Sequence, residues 1–296
     1  MEPRENAGDG LLMRILEVVH GFPPAAQGGT ELYAQAHARA LREEGGNEIV
    51  VLTREQDRSR AEYDVRTEER DGLRIVWVNN TFRSTRTFEE TYRNDAIGAI
   101  ASRLIDDFQP TVAHVHHLTG LSTTIVRSLA DRHIPCFFTL HDYWLLCHRG
   151  QLLDVTHRVC DGPPCHACLG PAAGIGRVGF VGAAALRGLE RHLPEAPARE
   201  LRRVAHRVAA VASSADEAED QEGRRIDHMR QVCADVTHFL APSRHMRDRF
   251  VQFGVTPEKI TVTANGVDRR CFAAPKSHAE SQPIRLTPDP TGDVVL

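Results

Sequence analysis

MRILEVVHGFPPAAQGGTELYAQAHARAL, residues 13–41, is the stretch on which the fold turns. Met13–Val19 is a short apolar run of the kind that forms a fully buried strand. Pro23, Pro24, Gly28 and Gly29 then break the pattern. From Thr30 a helix is predicted over residues 30–45, with Thr30 as N-cap and Gly45 as its stop. Its expected apolar face is Leu32, Tyr33, Ala36, Ala40 and Leu41.

The same alternation runs down the chain. Strands are predicted at 48–53, 73–79, 112–117, 135–142, 237–243 and 259–267. Helices are predicted at about 88–108, 121–132 and 244–254, with a long Ala/Arg/Glu-rich tract over about 182–233. Strands alternating with helices specify a doubly wound α/β domain, a Rossmann-like parallel sheet covered on both faces. Residues 1–12 are polar and read as a disordered extension, and residues 273–296, with Pro275, Pro283, Pro288 and Pro290, read as a linker-like tail.

Composition narrows the function. The 296 residues carry 36 Lys and Arg against 40 Asp and Glu, a net charge of -4 that argues against nucleic-acid binding. No apolar segment is long enough for a membrane span, and the N-terminus does not resemble a secretory signal. Seven cysteines, four of them between Cys147 and Cys168, fit a reducing compartment, so a cytoplasmic protein is expected.

In open α/β sheets, ligands collect outside the C-terminal ends of the strands. Those ends present Gly28-Gly29 before Thr30, then His116 and His117, then His141 and Asp142, then Ser243 and Arg244. One cleft lined by all four groups is expected. Each group also has a plainer reading. Gly28-Gly29 reads equally as a turn or as a phosphate loop, because the third glycine of a dinucleotide fingerprint and the Lys-Ser/Thr of a P-loop are missing. His114 and His116 alternate along a strand and share a face, while His117 points the other way. One or two of these three serve the core in that reading. His141 and Asp142 read equally as a local hydrogen-bonded pair, and Ser243 as the cap of the next helix.

The ordered set GGTE, HVHH, FTLHDYWLLC, FLAPSRHM and TANGVDRRCF resembles the N-terminal, acceptor-side domain of GT-B fold retaining glycosyltransferases of family four, the glycogen-synthase-like and mannosyltransferase-like enzymes. The resemblance covers residues 13 to about 272. It implies one half of a GT-B fold that acts with nucleotide sugar and an acceptor (glycan, lipid or small molecule), and requires no cofactor for catalysis. By resemblance, His116 is the catalytic strand-end histidine beside the transferred sugar, Gly28-Gly29 approaches the donor diphosphate, and His141 lines the acceptor pocket. Asn265 and Asp268 match the segment leading to a second, donor-binding domain. That domain's Arg/Lys pair and paired glutamates are not found before Leu296. The chain is therefore expected to be inactive alone: a truncated form of a longer enzyme, half of a split enzyme whose partner brings the donor domain, or a non-catalytic carbohydrate- or partner-binding module. A nucleotide-binding Rossmann protein of another kind is disfavoured, because the strand at 48–53 ends in Thr53-Arg54 and not in an acidic ribose ligand.

Two regions lie outside that motif set. Cys147, Cys160, Cys165 and Cys168 suffice to close a tetrahedral zinc site in a loop poor in apolar residues, with unpaired thiols or a labile disulfide as the alternatives. Cys136, Cys233 and Cys271 fall in apolar runs and are expected in the core. The arginine-rich stretch 187–207 is interrupted by Glu190, Pro194, Glu195, Pro197 and Glu200. It reads as a solvated face, with membrane contact at most peripheral.

Overall fold

The computed structural model describes residues 12–154, 157–162 and 215–266. All of them belong to one compact unit, Met1–Gly266. The extension 1–11, Cys165, Cys168, Cys271, Asp268, the tail and the tract before residue 215 lie outside the described residues.

Eight strands form one sheet. They are β1 (Arg14–Val19), β2 (Glu48–Glu55), β3 (Val65–Arg70), β4 (Leu73–Asn79), β5 (Val112–Val115), β6 (Cys136–Thr139), β7 (His238–Ala241) and β8 (Ile260–Val262). Their spatial order is β3-β4-β2-β1-β5-β6-β7-β8. Every pairing is parallel except β3 with β4. The helices are α1 (Gly29–Gly45), α2 (Asp95–Phe108), α3 (Thr124–Asp131), α4 (Ala215–Asp235) and α5 (Arg244–Phe253). The chain winds outward from β1 to one side, then returns to β5 and winds to the other. The switch point, where such sheets open a crevice, therefore lies between the C-terminal ends of β1 and β5.

Alternation along the strands sets the two cores. Leu16, Val18, Val50, Leu52, Val76 and Val78 pack with Ile97, Leu104, Ile105, Ile125, Leu129, Met229 and Phe250. Ile15, Val19, Ile49, Val51, Ile75 and Trp77 face the other way, against Ala34 and Ala38 of α1. Among the described residues no helix is long and apolar enough to cross a membrane.

Three expectations for α1 need correction. The N-cap is Gly28, in an extended conformation (φ -74°, ψ 174°), and Thr30 lies inside the first turn. The turn out of the helix falls at Gly46, whose left-handed φ of 62° favours glycine. The buried face is Glu31, Ala34 and Ala38, not Leu32, Ala36 and Ala40, and Leu32 is 49% exposed. Two alanines at this contact let the helix backbone approach the sheet closely. The face shifts so that Tyr33 and His37 reach the histidines of β5.

Two further differences are local. The helix predicted over about 88–108 divides into a short 3-10 turn, Glu89–Thr91, and α2. Asn94 caps α2, its side chain accepting from Ile97 N at 3.0 Å. Strand β3 was not expected.

Candidate functional site

Glu17 is the residue that organises the crevice. It lies midway along β1, on the α1 face, with 0% exposure, and its Cα partner on β5 is His114. A buried carboxylate needs partners, and imidazoles supply them. His116 Nε2 lies 2.6 Å from Glu17 Oε2, and His37 Nδ1 lies 3.0 Å from Oε1. Burial alone would raise the Glu17 carboxyl, but His116 and His37 hold it well below the usual carboxylate range. Burial works against protonation of His37 as well, and its contact with Glu17 overcomes this and raises it. His114 stacks on His116 with ring centroids 4.4 Å apart, so the two share a face as expected. Burial and the neighbouring His116 push His114 down to about 3, and its Nε2 bonds to Thr139 Oγ1 at 2.7 Å.

Moving toward the strand ends, His116 Nδ1 meets His141 Nε2 at 3.3 Å. His116 has 0% exposure and both ring nitrogens engaged. His141 is half-buried and is the outermost member of the line Glu17–His116–His141. It is pushed down to about 3 by burial and by His116, so a neutral ring faces the crevice. Tyr33 of α1 covers it edge-on at 5.1 Å.

On the other side of β5 a second pair forms. His117 Nδ1 accepts from Thr119 N at 3.0 Å, which leaves the proton on Nε2, donated to Asp142 Oδ2 at 3.1 Å. Asp142 also accepts from Trp144 N at 2.9 Å. Burial favours the neutral acid, yet the His117 hydrogen bond keeps Asp142 lowered, as a carboxylate. The local His141–Asp142 pair is therefore replaced by two cross-strand pairs, His116–His141 and His117–Asp142. His20, in the loop after β1, packs on His117 at 4.3 Å and contacts Glu31 at 3.2 Å. His116, His117, His141, Asp142, Trp144 and Leu145 line a small recess at this edge.

Helix α1 begins beside this group. Gly28 and Gly29 are exposed, and among the described residues no side chain caps the helix start. Its first-turn N–H groups are available to an anion. A Cβ on Gly28 would lie 2.5 Å from Glu31 Oε2, whereas one on Gly29 would meet nothing within 4 Å. The Glu31 carboxylate shares the helix end, turned toward His20.

A family model, described as "Glycosyl transferase 4-like domain", matches residues 28–266. The chain belongs to the glycosyl transferase 4-like family. No curated protein sequence matches it. Three similar solved structures are a trehalose-6-phosphate structure from E. coli bound with UDP-2-fluoro glucose, Alr3699/HepE from Anabaena in complex with UDP, and the UDP-GlcNAc 2-epimerase of Neisseria meningitidis bound to UDP-GlcNAc. The first is 11% identical, covering 88% of this chain and 50% of that one with a TM-score of 0.42. The second is 11% identical, with coverage of 89% and 47% and a TM-score of 0.42. The third is 12% identical, with coverage of 86% and 46% and a TM-score of 0.40. The chain spans about half the length of each.

The glycosyl transferase 4-like domain thus brings together four of the expected site residues, His116, His117, His141 and Asp142, and places Gly28, Gly29 and Thr30 at the start of α1. Ser243 takes its plainer role, capping α5 by accepting from Met246 N at 3.2 Å, and Arg244 is exposed beside it. Cys147 is buried and Cys160 half-buried, both as free thiols. Their expected zinc partners Cys165 and Cys168 lie outside the described residues. Cys136 and Cys233 are core residues, their thiols raised to about 12 by burial. Glu17, His20, Tyr33 and His37 were missed. The available signal was an acidic residue at the centre of RILEVV, a position where a charge is costly unless paired.

Proposed function

We propose that this domain is the acceptor-side half of a retaining glycosyltransferase that moves a sugar from a nucleoside diphosphate donor to an acceptor hydroxyl. The observation that carries the reading is the convergence of His20, His116, His117, His141 and Asp142 at the β1/β5 switch point, beside the start of α1, in a glycosyl transferase 4-like domain. In this reading the N–H groups of Gly29 and Thr30 meet the donor diphosphate, and the helix dipole favours its charge. His141 touches the sugar or the acceptor hydroxyl, while His116, fully buried, positions His141 and links it to Glu17. Asp142, oriented by His117 and Trp144 N, accepts from an acceptor hydroxyl.

A leaving diphosphate needs cationic stabilisation, which the reading assigns to a donor-binding domain facing this one. The 296-residue chain by itself is therefore expected to release no nucleoside diphosphate above background from UDP-, GDP- or ADP-sugars across a panel of sugar acceptors. Turnover near 1 s⁻¹, on the order of ordinary enzymes, would overturn the division of labour. The crevice is tested separately through Trp144, whose ring lies 5.4 Å from His117. Nucleotide sugar or acceptor sugar is expected to change its fluorescence in the wild type and not in His141→Ala. An unchanged signal with every sugar favours the non-catalytic, partner-binding alternative.

A further inference from the structure

Glu17, His37, His114 and His116 each offer one ligand atom, and these atoms all lie within 4.8 Å of one another. They come from β1, α1 and β5 with the residue just after it, and form a compact group in which only His116 has a part in the proposed sugar transfer, as the residue that positions His141. Three of the four are buried, and His37 is half-buried. We propose that this group is a structural zinc site that ties helix α1 to the two strands of the switch point.

Charge is the first argument. Glu17 has no exposed surface, and among the described residues its hydrogen-bond partners are imidazoles, with no lysine or arginine bonded to it. A divalent cation would supply the charge that the buried carboxylate lacks while leaving all three histidines neutral, the form that binds metal. Three imidazoles and a carboxylate form a donor set of the kind zinc takes.

Orientation is the second. Histidine ligands are generally held through their other ring nitrogen. His114 Nε2 is bound to Thr139 Oγ1 at 2.7 Å, which leaves Nδ1 for the metal. His116 Nδ1 is bound to His141 Nε2 at 3.3 Å, which leaves Nε2, the atom already facing Glu17. His37 faces Glu17 through Nδ1. On binding, neutral His116 takes the tautomer with its one ring proton on Nδ1, donated to His141 Nε2 while His141 carries its own proton on Nδ1, and His116 Nε2 is left free for the metal.

Size is the third. Zinc bonds of about 2.0–2.1 Å place tetrahedral ligand atoms roughly 3.3–3.4 Å apart. Glu17 binds through one oxygen, so one of its two contacts, 2.6 Å from His116 to Oε2 or 3.0 Å from His37 to Oε1, opens by less than about 1 Å, and the wider pairs, within 4.8 Å, close. Four protein ligands fill the tetrahedron, which makes the site structural, with entry past the half-buried His37.

The test separates this site from the cysteine loop and does not depend on sugar transfer. The 296-residue chain carrying Cys165→Ser and Cys168→Ser is stripped, reloaded with zinc(II), dialysed and assayed by mass spectrometry and thermal melting. About one retained equivalent and a Tm rise of about 5 °C are expected. Cobalt(II) in its place is expected to give a tetrahedral spectrum without a thiolate charge-transfer band. Adding His37→Gln or Glu17→Gln to that chain removes the metal and the Tm rise. His37→Gln, on the more exposed ligand, decides the matter if Glu17→Gln does not fold. The site is overturned if the double-serine chain retains no metal, or if His37→Gln retains the same equivalent.

Discussion

Glu17 and Gly28 show how single residues set the crevice. The run RILEVV reads as a plain apolar strand, which correctly predicts burial but passes over its central carboxylate. Only the fold reveals that His37 and His116, 20 and 99 residues away, complete it. The two glycines, inseparable by sequence, differ in space. Gly28→Ala drives a Cβ to 2.5 Å from Glu31 Oε2, and the displaced carboxylate loses its contact with His20. A loss of about 1 kcal/mol in urea denaturation is expected. Gly29→Ala meets open space in a helical turn, where alanine outranks glycine, so it is expected to be neutral or stabilising by up to about 1 kcal/mol. Equal losses for the two would contradict this geometry.

His20 supplies a pH test at the same scale. It faces Glu31, His117, Arg54 and Asp142. Burial first, then the neighbouring His117, push it down to about 3 from 6.5. Its folded-state value lies below its unfolded one, so its contribution is full above about 6.5 and is lost as pH falls toward 3. Stability to urea is expected to decline between about pH 6.5 and 5, and the decline to be shallower in His20→Gln. Parallel profiles for the two proteins would show that His20 is not responsible.

At the scale of elements, seven of the eight strands were legible, most plainly β1, β2 and β4, which are buried on both faces and read as continuous apolar runs. Strand β3, VRTEER, was not, because it is a charged edge strand with alternating half-buried positions. A signal did exist. Asp71-Gly72, both at positive φ, sit between β3 and β4 as a two-residue hairpin turn. Helix α1 was found, but its face was misread, since alanine carries little contrast between core and solvent. The corrected face is testable by denaturation. Ala38→Leu inserts bulk against Trp77 and its neighbours and is expected to cost about 1–3 kcal/mol. Leu32→Ala, on the exposed side, is expected to fall within about 0.5 kcal/mol of wild type. The reverse order would restore the original reading of the helix.

At the scale of the whole molecule, the doubly wound sheet explains why residues scattered from His20 to Asp142 converge. Parallel strands deliver successive loops to one edge, and the reversal of strand order between β1 and β5 opens the crevice there. The edge was predictable from strand direction alone. The contacts within it were not, because they depend on register and on where α1 docks. The central claim is that this edge, with the start of α1, forms one wall of a nucleotide-sugar cleft. Its most direct test follows the backbone amide signals of Gly28, Gly29 and Thr30 and the His141 ring by NMR while the 296-residue chain is titrated with UDP and GDP. The account predicts saturable shifts confined to these residues and their neighbours, with weak binding of about 1 mM expected of a half-site built on backbone N–H groups. Absence of shifts at these positions at 10-fold higher nucleotide (about 10 mM), in a chain whose spectrum shows it folded, would contradict it.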